Sequence, residues 1–273
     1  MKELSLREIQ LGELEVLKKL AEICEAQNLK YYLIWGTLLG AVRHKGFIPW
    51  DDDVDVAMPR PDFDKLMEYF ENHQEEIRPF SLISCKTNKK YIYPIPRFCD
   101  TRYYIDYQGA KDYGLGLFVD IYPMDGCGND ESAVEASYKK RIFYESFTCL
   151  AGSKKFQKSN QGWWRNPVKF AMYSYAKLMG PKYFVHKLEK LAVGYSYEES
   201  EYACIMLWDD QKKPFKKADV DEVVYIPFEG TNLPIPKGYD AVLRNYYGDY
   251  MQLPPEEERV AHHYYTAYLK DEN

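Results

Sequence analysis

Leu14, Leu17, Leu20, Ala21 and Cys24 return at steps of three and four residues with charged residues between them. That spacing predicts an amphipathic helix over residues 5–27. "YYLIW" (31–35) is rich in β-formers and predicts a short strand, broken at Gly36-Thr37. "TLLGAVRHK" then predicts a short helix that Gly46 stops. "DVDVAM" alternates acid and apolar side chains, the pattern of a strand whose two faces differ. Pro59 and Pro61 end it, and Asp62 is the expected N-cap of a helix through "DFDKLMEYFENHQEE". Further β-rich runs fall at 80–85, 91–98, 101–107 and 116–124, followed by a turn at Gly128-Asn129-Asp130. Residues 131–200 read as mostly helical, with breaks near Gly152, Gly162 and Pro181. "VVYIPFEG" and "LPIPKGYD" return to a β-like pattern, and "YYGDYMQLPP" predicts a tight turn through Gly248. There is no internal repeat and no low-complexity linker.

The fold class that follows is α/β (α+β), a mixed sheet with flanking helices plus a helical insertion or lobe. The expected division is an α/β core over 1–127, a helical basic lobe over 128–200, and a C-terminal segment over 201–273 that packs back on the core.

Composition narrows this picture. A chain of 273 residues, 46% hydrophobic and 29% charged, is globular rather than disordered or fibrous. No apolar run approaches the ~20 residues of a membrane-spanning helix. The N-terminus carries charges throughout and lacks the apolar core of a signal peptide, so a cytoplasmic protein is expected. Its six cysteines are scattered with no CxxC pair, which predicts free thiols and no zinc site. Net charge is −6, yet residues 151–190 hold nine Lys or Arg against the single acid Glu189. That asymmetry points to an anionic partner. Within it, "WWRNPVKFAMYSYAKLMG" fits an interfacial helix touching anionic membrane or a lipid-linked acceptor, or else a helical lobe with a solvated basic face.

The densest chemistry lies at Asp51, Asp52, Asp53 and Asp55. On a strand, Asp53 and Asp55 project to one face while Val54 and Val56 enter the core. Two such carboxylates seat a hard divalent cation, Mg²⁺ or Mn²⁺, which binds through one or two acids plus substrate phosphates. Asp51 is a further candidate ligand. Asp120, an acid inside the apolar run "LFVDIYPM", supplies the expected third acid, because burying it unpaired would be costly. An ion pair with Arg97 or Arg102 is the alternative reading of Asp120. Gly36 and Thr37 follow a strand and open a helix, where backbone N–H groups form a phosphate seat. Arg43, His44 and Lys45 follow it and are candidate phosphate contacts. Trp35 and Trp50 fit core packing, or with Tyr122 an aromatic wall for a quaternary ammonium. His262 and His263 are candidates to approach from the C-terminal segment. A calcium loop is excluded, since the sixth and twelfth positions counted from Asp51 are Val56 and Asp62 instead of Gly and Glu. Phosphate seat, paired acids and a third acid form the layout of metal-assisted phosphoryl transfer. A metal-dependent nucleotidyltransferase or glycosyltransferase and a non-catalytic carbohydrate or nucleotide binder remain alternatives.

"YYLIWGTLLGAVRHKGFIPWDDDVDVAMPRPDFDKL" resembles the signature of the LicD family, and "GLFVDIYPMDG" and "IPKGYDAVLRNYYGDYMQLPPEEER" resemble its later blocks. The resemblance spans most of the chain, least clearly over 128–200. It implies a nucleotidyltransferase-like fold, whose general pattern is Gly-Ser or Gly-Gly before an acid-x-acid strand. This chain has Thr37 in that place and a slightly longer spacer to Asp53. It further implies a transferase moving phosphocholine, or a related alcohol phosphate, from a CDP-alcohol donor to a glycan or lipid-linked glycan, without nucleic acid as a partner. Metal would sit on Asp51, Asp53, Asp55 and Asp120, with Asp120, Asp53 and Asp55 catalytic and Gly36, Thr37, Arg43, His44, Lys45, Trp50 and Tyr122 binding substrate.

Overall fold

The computed structural model describes residues 1–107, 112–159, 162–208, 214–260 and 265–271. In chain order its elements are β1 (Lys2–Glu3), α1 (Leu6–Ala26), β2 (Tyr32–Leu33), α2 (Trp35–His44), β3 (Asp55–Pro59) and α3 (Arg60–His73). Then come β4 (Phe80–Ile83), β5 (Arg97–Asp100), β6 (Tyr103–Tyr107) and β7 (Leu117–Gly126). The helices α4 (Glu131–Gly152), α5 (Asn166–Met179) and α6 (Pro181–Ala192) follow without an intervening strand. The chain closes with β8 (Tyr202–Cys204), β9 (Phe215–Lys216), α7 (Lys217–Val220), β10 (Val223–Phe228), β11 (Thr231–Pro236), α8 (Tyr239–Tyr247) and β12 (Tyr265–Leu269).

The result is the expected mixed α/β architecture. β7 is the spine of a seven-stranded sheet ordered β2-β3-β7-β5-β4, with β8 and β9 continuing from its far end. It pairs in parallel with β3 and antiparallel with β5, and all ten of its residues are buried. A strand covered on both faces must read as an almost continuous apolar run, as "LFVDIYPM" does. α1 packs on β7 and β5, and α3 packs on β7 and β3. β12 returns from the C-terminal part and pairs with both β1 and β6. α4 and α6 join the main core through Val134, Tyr138, Leu188 and Ala192. Farther out they share a small separate cluster of Phe147, Ala151, Ala176 and Phe184 with α5.

α1 begins one residue later than its pattern predicts, because Ser5 caps it in a reciprocal box with Glu8. Elsewhere the structure corrects the sequence reading. Asp62 is not an N-cap: α3 starts at Arg60, with Pro61 inside its first turn, where a missing N–H costs nothing. α2 ends at His44, because Lys45 rather than Gly46 takes the left-handed position. Gly46 serves another purpose, since a Cβ there would meet the Glu229 carboxylate at 2.3 Å. In the run 91–98 only Arg97 and Phe98 are strand, since Pro94 and Pro96 cannot donate to a ladder. Asp53 precedes β3 instead of sharing it with Asp55. The expectation of six free thiols is also corrected. Cys127 and Cys204, 77 positions apart, form a disulfide, while Cys24, Cys85, Cys99 and Cys149 are free. The β7–β8 pairing, with Asp125 opposite Cys204, is what brings the two sulfurs together.

Asp125 at the end of β7 is fully buried and meets the Arg60 guanidinium at 2.6 Å. Burial pushes its carboxyl up to about 6, against the opposing pull of Arg60. Arg60→Met leaves that carboxylate buried without its counter-ion. Urea unfolding near neutral pH should show a loss of about 3–5 kcal/mol. A loss below about 1 kcal/mol would show that the pair does not hold β7 against α3.

Candidate active site

Two elements meet edge to edge at the site. Register places Asp55 on β3 directly opposite Asp120 on β7, and Asp120 in turn opposite Arg97 on β5. Both acids are nearly inaccessible. Arg97 donates from Nε to Asp120 Oδ1 at 2.7 Å and from a terminal nitrogen to Oδ2 at 3.4 Å. Its guanidinium also lies 4.2 Å from the Phe118 ring centroid and donates to the Tyr107 hydroxyl. Arg97 is therefore the partner of Asp120 that the sequence left open, and Arg102 pairs with Asp100 instead. Burial works against the Arg97 charge, but Asp120, Tyr91 and Tyr107 outweigh it and hold the guanidinium strongly protonated. The Tyr122 hydroxyl lies 3.5 Å from Asp120 Oδ2, and its ring packs edge-on against Trp35 at 4.4 Å. Burial, then Asp53, Asp120 and Asp51, push the Asp55 carboxyl well above the usual range.

α2 starts beside these acids. No side chain among the described residues caps its N-terminus. Thr37 Oγ1 accepts the Asp55 backbone N–H at 2.8 Å, tying the first turn of α2 to β3. Gly36 is held against Asp51: a Cβ at Gly36 would meet Asp51 Oδ2 at 2.7 Å. The Gly-Thr pair thus permits close approach and anchors the acid strand at once.

Two buried residues of α1 support the acid loop from below, and sequence reasoning missed both. Gln10 Nε2 donates to the carbonyls of Asp51 at 2.8 Å and Ile48 at 3.3 Å. Glu13 is fully buried, and its Oε2 has no hydrogen-bond partner among the described residues. Burial, followed by Asp53, Asp52 and Asp51, drives its carboxyl well above the usual range. Tyr265 of β12, also missed, donates to the Asp52 carbonyl at 2.7 Å. The signal was present for the first two. Gln10 and Glu13 continue the three- and four-residue spacing of Leu14 and Leu17 into the buried stripe, where a polar side chain needs a reason.

The remaining candidates divide. Arg43 and Trp50 line a cavity of about 780 Å³ between α2 and residues 247–260, together with Tyr247 and Tyr250. Arg43 donates to the Tyr250 carbonyl and toward His44. Burial and then Arg43 hold His44 below the usual imidazole range. The Arg259 guanidinium stands 5.7 Å from the Trp50 ring centroid. Tyr247, which lines this cavity, is held high by burial and then by Asp55, Asp51 and Asp53. Lys45 is exposed at the opposite end of α2, roughly 15 Å along the axis from Gly36 at 1.5 Å per residue. His262 and His263 lie outside the described residues.

Among the described residues no three His, Cys, Asp or Glu side chains form a group that would hold a metal ion by themselves. The donors nonetheless suit a hard cation completed by substrate. They are carboxylates, burial and then Asp53, Asp120 and Asp51 press the Asp55 carboxyl toward its protonated form, and they adjoin a helix start that no side chain among the described residues caps.

The α2 start and the acids Asp51, Asp53, Asp55 and Asp120 all fall within the stretch that comparison with known families matches. Residues 28–148 match the model described as LicD/FKTN/FKRP, nucleotidyltransferase domain. The lipopolysaccharide cholinephosphotransferase LicD of Haemophilus influenzae is 32% identical over 278 aligned positions, covering 98% of this chain and all of that protein. The ribitol 5-phosphate transferase FKRP of mouse is 43% identical over 44 residues, which are 16% of this chain and 9% of that protein. An uncharacterized Rickettsia typhi protein is 34% identical over 114 residues, 41% of this chain. The chain belongs to the LicD family and is a transferase of that family.

Thr37→Val keeps the shape of the side chain but leaves the buried Asp55 N–H without its acceptor. That should cost about 1–3 kcal/mol in urea unfolding, and Thr37→Ser should restore most of it. Equal stability of the two variants would show that the hydroxyl does not anchor β3.

Proposed function

We infer that this protein transfers phosphocholine from CDP-choline to a hydroxyl of a surface glycan of the lipopolysaccharide kind, releasing CMP. The observation that carries the reading is the β3–β7 register, which sets Asp55 against Asp120 beside the Gly36-Thr37 helix start. The end-to-end similarity to a lipopolysaccharide cholinephosphotransferase supplies the substrate class.

In this reading Asp53 and Asp55, with Asp51 beside them, would hold Mg²⁺ or Mn²⁺, whose charge would offset that of the donor diphosphate and of departing CMP. The N–H groups at the start of α2 bind a phosphate oxygen, and Gly36 keeps the approach open. Arg43, in the adjoining cavity, offers its guanidinium to the donor's anionic part. Asp120 accepts the proton of the attacking glycan hydroxyl. As that O–H bond breaks, the oxygen forms a bond to the choline-bearing phosphorus, and the anhydride bond to CMP breaks. Arg97 and Tyr122 fix the Asp120 carboxylate for this step, so its geometry is set before substrate arrives.

CMP release tests the reading directly. Purified protein with Mg²⁺ or Mn²⁺ and a glycan acceptor should release CMP from CDP-choline faster than from CDP-ribitol, CDP-glycerol or CDP-ethanolamine. Asp53→Asn and Asp120→Asn should each lower turnover at least about 100-fold while keeping the wild-type circular dichroism spectrum. Pyrophosphate from CTP, or UDP from a UDP-sugar, would instead assign nucleotidyl or glycosyl transfer. Undiminished turnover in either Asn variant would remove that acid from the mechanism.

A further inference from the structure

α5 packs on α4 and α6 along one side and leaves its other side open. Of its fourteen residues only Ala176 is buried. Val168, Ala171, Tyr175 and Leu178 recur at steps of three and four, which places them along one stripe of α5, and Trp164 in the preceding 3₁₀ turn extends its exposed end. That stripe faces outward: Trp164 is 64% exposed, Val168 65%, Tyr175 45% and Leu178 83%. Trp163, in the 3₁₀ turn ahead of the helix, is 83% exposed. A contiguous apolar stripe of this kind marks a surface that meets something.

The charge around it is one-sided. Residues 151–190 hold nine Lys or Arg and only Glu189 as an acid, in a chain of net charge −6. Lys158, Arg165 and Lys169 line a hollow of about 820 Å³ beside Trp164, at the same end of the helix as both tryptophans. The Arg165 guanidinium stands 5.1 Å from the Trp164 ring centroid. No helix among the described residues is long and apolar enough to cross a membrane, and α5, at 14 residues, falls short of the ~20 that a span needs.

The geometry points to an anionic lipid bilayer as the partner of this face. The stripe enters the boundary between head groups and chains, the two tryptophans sit at head-group level, and Lys158, Arg165 and Lys169 meet lipid phosphates. A second copy of this chain fits less well, since pairing two such faces would bring like charges together in the ring around each stripe. The surface does not depend on the chemistry assigned to the acids. Its consequence for that chemistry is orientation: a protein lying on α5 works beside the bilayer, where a lipid-linked acceptor is confined.

Co-sedimentation of the full chain with vesicles tests it. Binding to mixed phosphatidylglycerol–phosphatidylcholine vesicles should exceed binding to phosphatidylcholine alone by at least about tenfold and weaken as salt rises. Val168→Ser/Leu178→Ser should lose the binding while melting at the wild-type temperature, since both side chains are exposed. Lys158→Glu/Lys169→Glu should reduce it and flatten its salt dependence. Absence of binding at low salt would overturn the proposal. So would wild-type binding by the Ser double variant, or a concentration-dependent dimer, seen by sedimentation velocity, that this variant abolishes.

Discussion

The pairing of β3 with β7 is the constraint on which the rest of the site depends. It brings two nearly inaccessible carboxylates, Asp55 and Asp120, to opposite positions in one sheet. Like charges so placed destabilise a sheet unless something compensates. Three features nearby act on this strain. Arg97, one strand farther along, neutralises Asp120 through two hydrogen bonds. Tyr122 adds a hydroxyl, and Thr37 secures the backbone of Asp55. The site is thus assembled from neighbours in a sheet instead of from residues close in sequence, and a cation brought by substrate would relieve the repulsion that remains.

Much of this was legible in the chain because the relevant signals are local. The amphipathic spacing of α1, the Gly-Thr helix opening after a short strand, the acid inside "LFVDIYPM" and the three helices between 131 and 192 each follow from spacing over a few residues. Asp120 was singled out because a carboxylate in an apolar run needs a partner. The identity of that partner was not readable. Arg97 and Arg102 are equally plausible from sequence, and only the antiparallel register of β5 against β7 selects Arg97.

What escaped the sequence reading depends on long-range contact. The Cys127–Cys204 bridge spans 77 positions and needs β8 to return to the end of β7. Gln10, Glu13 and Tyr265 reach the acid loop from elements about forty residues before it and more than two hundred after it. Reasoning by alternation also put Asp53 and Asp55 on one strand, whereas the strand begins at Asp55. Alternation describes paired backbone, and the three acids ahead of Asp55 belong to a loop whose shape is set by hydrogen bonds to its carbonyls.

The disulfide also bears on how the chain can change. Cys127 leaves the spine strand and Cys204 rejoins it, with the backbone of Tyr202 bonded to Cys127 and Gly128 at the same crossing. All of α4, α5 and α6 is strung between those two points. The sheet therefore sees the three helices as a single closed excursion, entered and left at one place. Lengthening α5, repainting its outer face or exchanging it for another helix alters neither the direction in which β7 departs nor the position to which β8 returns. Variation in α5 is thereby separated from the acids by the crossing that fixes where β7 ends and β8 begins.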